Sequence, residues 1–208
     1  ACGNEFASER AMASRFIVDS LCYLAKEYKL DGFRFDLMGL LDIQTLNTAA
    51  EKLRRINPSI ILYGEGWTGG KSPLPERLRA MKKNAVKLPQ YAMFSDDFRD
   101  GVKGSVFEDE ECGYVNGNAS ELSEMMKSVI SGGIYRMDVQ RKRSECWTDT
   151  PQQVVNYVEA HDNLTLFDKL RISMPEASGH ERVSVDKLAA ALVFLSEGIP
   201  FMQAAQEI

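Results

Sequence analysis

The sequence predicts an α/β fold built on parallel strands, and three observations carry that expectation. Helical patterns of roughly ten to twenty residues alternate with short β-rich runs along the chain. No two-residue hairpin turn joins neighbouring runs, so successive strands are connected by crossovers and run parallel. Five strands are expected, each but the last followed by helix, which suits either a (β/α) barrel or a doubly wound sheet.

The elements follow from local pattern. Ser8 is expected to cap a helix reaching about residue 28, since Phe16, Ile17, Leu21, Leu24 and Tyr28 recur at three- and four-residue spacings. Residues 30–36 read as a strand. Asp42 then caps a helix with an apolar stripe of Ile43, Leu46, Ala50 and Leu53. It ends at Asn57-Pro58, because a residue before proline resists helical geometry. Residues 59–65, rich in Ile and Leu, form the second strand. A Gly/Pro-rich loop over 68–75 leads to a helix near 76–83 and a strand near 91–95. A long irregular stretch over 96–119 follows, of a length that usually carries function. A helix over about 120–130 precedes a second irregular stretch. Val154, Val155 and Val158 support a strand over 153–160. A short helix near 164–170, a buried helix over 186–196 and a last strand over 199–204 complete the chain, with no internal repeat.

Composition excludes several function classes. With 44% hydrophobic and 26% charged residues the chain can bury a core. Its 30 acidic residues against 25 basic ones leave a net charge of −5, the wrong sign for a nucleic-acid binder. The densest basic cluster, Arg141, Lys142 and Arg143, reads as a solvated loop. No apolar run approaches the ~20 residues of a membrane span, and residues 188–201 are broken by Ser196, Glu197, Gly198 and Pro200. Cys2, Cys22, Cys112 and Cys146 are widely spaced, suggesting neither a zinc site nor a disulfide framework. With no visible leader either, the expected location is cytoplasmic. Glycine-rich phosphate fingerprints are missing, which weakens a nucleotide-binding alternative.

Three strand ends carry acids: Asp36 in Gly32-Phe33-Arg34-Phe35-Asp36, Glu65 in Tyr63-Gly64-Glu65-Gly66-Trp67, and Asp162 in Val158-Glu159-Ala160-His161-Asp162-Asn163. In a barrel the C-terminal strand ends converge on one mouth, where catalytic groups sit. The strand period of two puts Arg34 and Asp36 on one face and Phe33 and Phe35 on the other. A guanidinium beside a carboxylate orients it and favours its ionised form, as a carboxylate nucleophile requires, although a structural ion pair would look the same. Glu65 lies between two glycines near Trp67, where a carboxyl in a partly apolar mouth can act as general acid. His161 reads equally as a hydrogen-bonding neighbour of Asp162, and His180 as exposed or structural. Paired carboxyls about 5–5.5 Å apart are the retaining-glycosidase arrangement. Three carboxylates can also bind a divalent metal, but no His-x-His or His-Glu-x-x-His spacing supports that use. The acidic run Glu108-Asp109-Glu110-Glu111 reads as a solvated loop rather than a cation site.

The segments 31–38, 63–67 and 157–163 resemble three signature regions of the α-amylase superfamily of retaining glycoside hydrolases (glycoside hydrolase family 13). Their wording is most similar to the type I pullulanases, which are debranching enzymes. Cys2-Gly3-Asn4, the stretch 7–10 and the stretch 198–207 are similar to the flanking segments. The resemblance implies Asp36 as nucleophile, Glu65 as acid/base and Asp162 as stabiliser of the distorted sugar. It also implies that Arg34 orients Asp36, that His161 bonds sugar hydroxyls, and that Trp67 and Asn163 contact substrate. The implied reaction is hydrolysis of α-1,6 links in pullulan and related branched α-glucans, with retention. The alternatives are an isoamylase-like, amylopullulanase-like or α-1,4-acting member, or a carbohydrate-binding barrel without chemistry.

The resemblance further implies that residues 1–208 form a partial catalytic (β/α)8 TIM barrel, holding about strands four to eight; a whole barrel takes ~250 residues. The chain is therefore expected to be a fragment of the catalytic domain. It departs from the family at Glu5-Phe6, where Asp-Thr is favoured, and at Ala205, where Gly is usual. A branched α-glucan is the expected partner, without nucleic acid or membrane. No cofactor or metal is expected, with calcium left open for a full-length protein.

Overall fold

The computed structural model describes residues 6–135, 137 and 146–206. The basic cluster at 141–143, the motif at 2–4, Glu5 and Glu207 lie outside them. The chain divides into two compact units between Phe94 and Ser95. Each is α/β with parallel strands.

The first unit holds α1 (Ala11–Glu27), β1 (Gly32–Phe35), α2 (Ile43–Ile56), β2 (Ile61–Gly64) and β3 (Ala92–Phe94). The strands lie in the order β1-β2-β3, with Arg34 opposite Tyr63 and Tyr63 opposite Ala92, all parallel. Asp42 caps α2 as expected, its Oδ1 accepting the Thr45 N–H at 2.9 Å. Leu46, Ala49, Ala50 and Leu53 form the buried stripe of α2, against which α1 packs.

Ser8 does different work from the expected cap. Helix α1 begins after Arg10 without a side-chain cap, whereas the buried Ser8 Oγ accepts the Asp42 N–H at 2.8 Å. The Thr45 hydroxyl donates to the Ser8 carbonyl at 2.9 Å, so Ser8 fixes the start of α2 instead. The helix expected near 76–83 is replaced by two 3-10 turns, Glu76–Leu78 and Lys82–Lys87. Arg79 between them is extended: it bridges antiparallel to Asp42, and its guanidinium donates to the Leu74 and Ser72 carbonyls at 2.5 and 3.0 Å. Those bonds hold the chain out of helical geometry.

The second unit holds α3 (Asp96–Lys103), α4 (Ala119–Ile130), β4 (Val154–Asn156), α5 (Leu166–Ser173), α6 (Gly179–Leu195) and β5 (Ile199–Pro200). β4 and β5 pair in parallel, Val155 opposite Ile199. Phe98, Val102, Met126, Val129, Val158, Leu166, Leu170, Ala189 and Val193 make its core.

Helix α3 corrects the expected irregular stretch at 96–119. Ser95 Oγ accepts the Phe98 N–H at 3.2 Å, and Asp96 and Asp97 suit the positive end of the helix dipole. Phe98 and Val102 are the only large apolar side chains the helix buries, beside Gly101 and Lys103, and two such positions are too few to read as periodicity among so many charges. Helix α6 begins at Gly179 rather than 186, because Ser178 and Glu181 form a reciprocal capping box. It is buried only at Ala189 and Val193, not throughout. β4 and β5 are shorter than expected, although Tyr157, Val158 and Glu159 stay buried past the end of the ladder.

Candidate active site

In the first unit, β1 and β2 bring three of the expected residues together. Arg34 lies on β1 directly opposite Tyr63, one residue pair before the ladder ends at Phe35 and Gly64. Its guanidinium donates through Nη1 to Asp36 Oδ1 at 2.5 Å and through Nη2 to Glu65 Oε1 at 2.8 Å. Both carboxylates therefore share one fork, a charge-assisted and geometrically selective arrangement. The fork is itself held by the Phe94 ring, 5.8 Å from the guanidinium carbon, and Tyr63 packs edge-on to Phe94. Phe35 turns to the opposite face and meets the buried Tyr91 edge-on at 5.6 Å.

The two acids differ in surroundings. The Asp36 side chain is 70% exposed, and among the described residues only its Oδ1 takes a hydrogen bond. The Glu65 side chain is 6% exposed and accepts at both oxygens. Its Oε2 takes the Leu37 N–H at 2.6 Å. Leu37 reaches that position only with φ of 39° and ψ of 47°, a left-handed conformation that a branched side chain rarely adopts. Gly39 completes the turn, donating its N–H to the Glu65 and Trp67 carbonyls at 3.2 and 3.1 Å. A Cβ at Gly39 would stand 2.5 Å from the Trp67 carbonyl oxygen, so glycine is required for this close approach. Trp67 is thereby tied through its backbone to the turn after Asp36.

The second unit presents the remaining expected residues on the loop after β4. Glu159 is buried and its Oε2 accepts the Leu166 N–H, closing the loop onto the start of α5. Thr165 caps α5 by accepting the Asp168 N–H at 3.3 Å. Between these fixed ends His161, Asp162 and Asn163 are exposed, with His161 Nε2 3.4 Å from Asp162 Oδ2. Asn163 has φ of 67°, which asparagine tolerates better than most residues. Beneath the loop Arg99 donates to the Tyr157 hydroxyl at 2.8 Å and stacks on its ring, and burial pushes the Tyr157 phenol up to about 12.

The chain is similar in sequence and structure to known proteins. No family model matches the chain. A pullulanase of Bacillus subtilis is 39% identical over 205 residues, covering 99% of this chain and 28% of that protein. The crystal structure of a Paenibacillus barengoltzii pullulanase in complex with maltohexaose and α-cyclodextrin superposes with a TM-score of 0.92 at 44% identity, over 99% of this chain and 31% of that one. An Anoxybacillus pullulanase complexed with maltotetraose gives 0.88 at 44% identity, over 97% of this chain and 28% of that one. The chain matches a segment of the pullulanases. It spans less than a third of the length of each of these relatives. At these scores the α/β fold with parallel strands is the fold of the corresponding pullulanase segment.

Sequence reasoning missed the Leu37 backbone donor, which no residue type announces, and the buried Glu159. Its position two residues before His161 was the available signal for a loop-closing acid. Among the described residues no group of three or more His, Cys, Asp or Glu side chains could hold a metal ion, and no helix is long and apolar enough to cross a membrane. The acidic run at 108–111 is exposed. Lys169 Nζ donates to the Ser105 and Glu108 carbonyls at 2.8 and 2.5 Å, anchoring the loop through its backbone.

Proposed function

We propose that this chain carries the catalytic residues of a retaining glycoside hydrolase that cleaves α-1,6 branch links in pullulan and related α-glucans. The observation that carries the reading is the Arg34 fork joining Asp36 and Glu65 at the ends of neighbouring parallel strands. The likeness to pullulanases, some crystallised with maltooligosaccharides, supports the substrate class. The same likeness supports the reading that the chain is part of a (β/α)8 barrel.

In this reading the Asp36 oxygen not held by Arg34 attacks the anomeric carbon. The bond from that carbon to the glycosidic oxygen breaks, and the leaving oxygen takes its proton from Glu65. A covalent glycosyl ester on Asp36 results. Glu65, now a carboxylate, takes a proton from water, which attacks the anomeric carbon and releases Asp36. Each Glu65 oxygen accepts one bond, from Arg34 and from Leu37, which orients the carboxyl and leaves a second lone pair on each oxygen for the proton it delivers. Asp162 would hold sugar hydroxyls as positive charge develops, with His161 and Asn163 beside it and Trp67 contacting the sugar near Glu65. The chemistry as written needs no cofactor.

Pullulan hydrolysis by the full-length protein carrying this segment tests the proposal. Release of maltotriose is expected; panose would indicate α-1,4 cleavage and overturn the linkage, and no hydrolysis would overturn the enzyme reading.

A further inference from the structure

The second unit contains a cleft of about 770 Å³ between α5, α6 and the segment after β5, within the size range of small-ligand sites. Phe167, Val183, Ala190 and Met202 give it an apolar wall, and Glu159 and Asp186 give it charge. Glu159 is only 5% exposed, yet among the described residues its Oε1 takes no hydrogen bond; its sole recorded bond is the one from Leu166 to Oε2. Asp186, on α6, makes no hydrogen bond or ion pair among the described residues either. Burial, with the Glu159 charge adding to it, pushes the Asp186 carboxyl up to about 6. The other charged groups near the pair are Lys187 on the cleft wall and Lys103 of α3, which feels Glu159.

We propose that this cleft receives a guanidinium group carried on an apolar stem, bound between Glu159 and Asp186. Two carboxyls with open acceptor oxygens match a planar five-donor fork better than a compact ammonium. A hard divalent cation would want six or more oxygens, and two side chains supply too few. The apolar wall covers the stem, as the methylenes of arginine cover apolar surface elsewhere. The guanidinium can come from free arginine or from an arginine side chain within a polypeptide. Free arginine brings its own carboxylate toward an acidic cleft, so the two sources should differ in affinity.

The test is a TROSY NMR titration of the isotope-labelled full-length protein carrying this segment at pH 7.5, following the amides of Lys187, Ala190 and Gln203. The probes are Nα-acetyl-arginine amide, its uncharged isostere Nα-acetyl-citrulline amide, free arginine, calcium chloride and maltotriose. Saturable shifts with the blocked arginine are expected, at least tenfold tighter than with citrulline and tighter than with free arginine. Asp186→Asn should weaken the arginine complex about tenfold, and Lys187→Met, which removes a competing cation from the wall, should tighten it. Both variants keep a helix-compatible side chain at the cleft wall of α6, and unchanged near-UV circular dichroism checks that they fold. Equal binding of citrulline, unaltered affinity in Asp186→Asn, or shifts produced only by calcium or maltotriose would overturn the proposal, as would no saturable shift at all. Free arginine binding as tightly as the blocked compound would assign the cleft to the free amino acid. The readout does not depend on glycoside hydrolysis.

Discussion

Each unit holds a pair of carboxyl groups, and the pairs differ in placement and in charge: Asp36 and Glu65 both follow parallel strands, whereas Glu159 follows β4 and Asp186 lies on α6. Asp36 and Glu65 share the Arg34 guanidinium, whereas among the described residues no guanidinium bonds to Glu159 or Asp186, which repel one another. The first pair is fixed by charge-assisted bonds and can be held in one reactive geometry. In the second pair, burial and mutual repulsion push Asp186 up to about 6. A shared guanidinium, rather than acid content, separates the fixed pair from the pair without one.

The comparison breaks most visibly at the first pair. Replacing Asp36 with Asn, or Glu65 with Gln, should lower kcat on pullulan by about 10⁴-fold or more, as loss of a group acting in a covalent mechanism does. Arg34→Met should lower kcat by roughly 10²-fold with a smaller change in KM, and Arg34→Lys should not rescue it, because a point charge cannot hold two carboxylates in a fork. Steady-state kinetics on purified variants checks both. A mere structural role for Arg34 would instead lower melting temperature and leave kcat per folded molecule unchanged.

The second pair should respond through stability. A carboxyl whose folded value lies above its unfolded one folds without penalty below about pH 4. The penalty grows as pH rises toward 6 and stays constant above that. Asp186→Asn should therefore stabilise the chain above pH 6, by about 1 kcal/mol once solvent screening of this half-exposed group is allowed for, and not at pH 4. Lys103 has the opposite sign: burial pushes it down to about 8. Its folding penalty is full below pH 8 and fades toward pH 10.5, so the stability difference between Lys103→Met and the unaltered chain should shrink over that interval. Urea denaturation at three pH values measures both effects.

The smallest effect lies at Ala205, whose φ of 77° is a glycine conformation. Ala205→Gly should raise stability by up to about 1 kcal/mol in the same urea experiment. This position was legible in the sequence as a departure from a glycine usual in the family, although only the backbone shows why it matters. Asp36, Glu65, Arg34 and the Asp42 cap were legible because strand period and capping chemistry are local. The role of Ser8, the extended Arg79 and the Leu37 donor were not. Each depends on a partner distant in sequence: Asp42 for Ser8 and Arg79, Glu65 for Leu37. Helix α3 escaped notice for another reason, since a two-residue apolar stripe carries no period.

The central claim is that Asp36 and Glu65 form a nucleophile and acid/base pair on one guanidinium. Mass spectrometry of the full-length Glu65→Gln protein after incubation with α-maltotriosyl fluoride tests it most directly. Fluoride leaves without a proton from Glu65, whereas release of the covalent sugar still needs that residue as base. The account predicts a maltotriosyl increment on the peptide containing Asp36. An adduct on another residue, or hydrolysis of the fluoride with no adduct and inverted product, would contradict it.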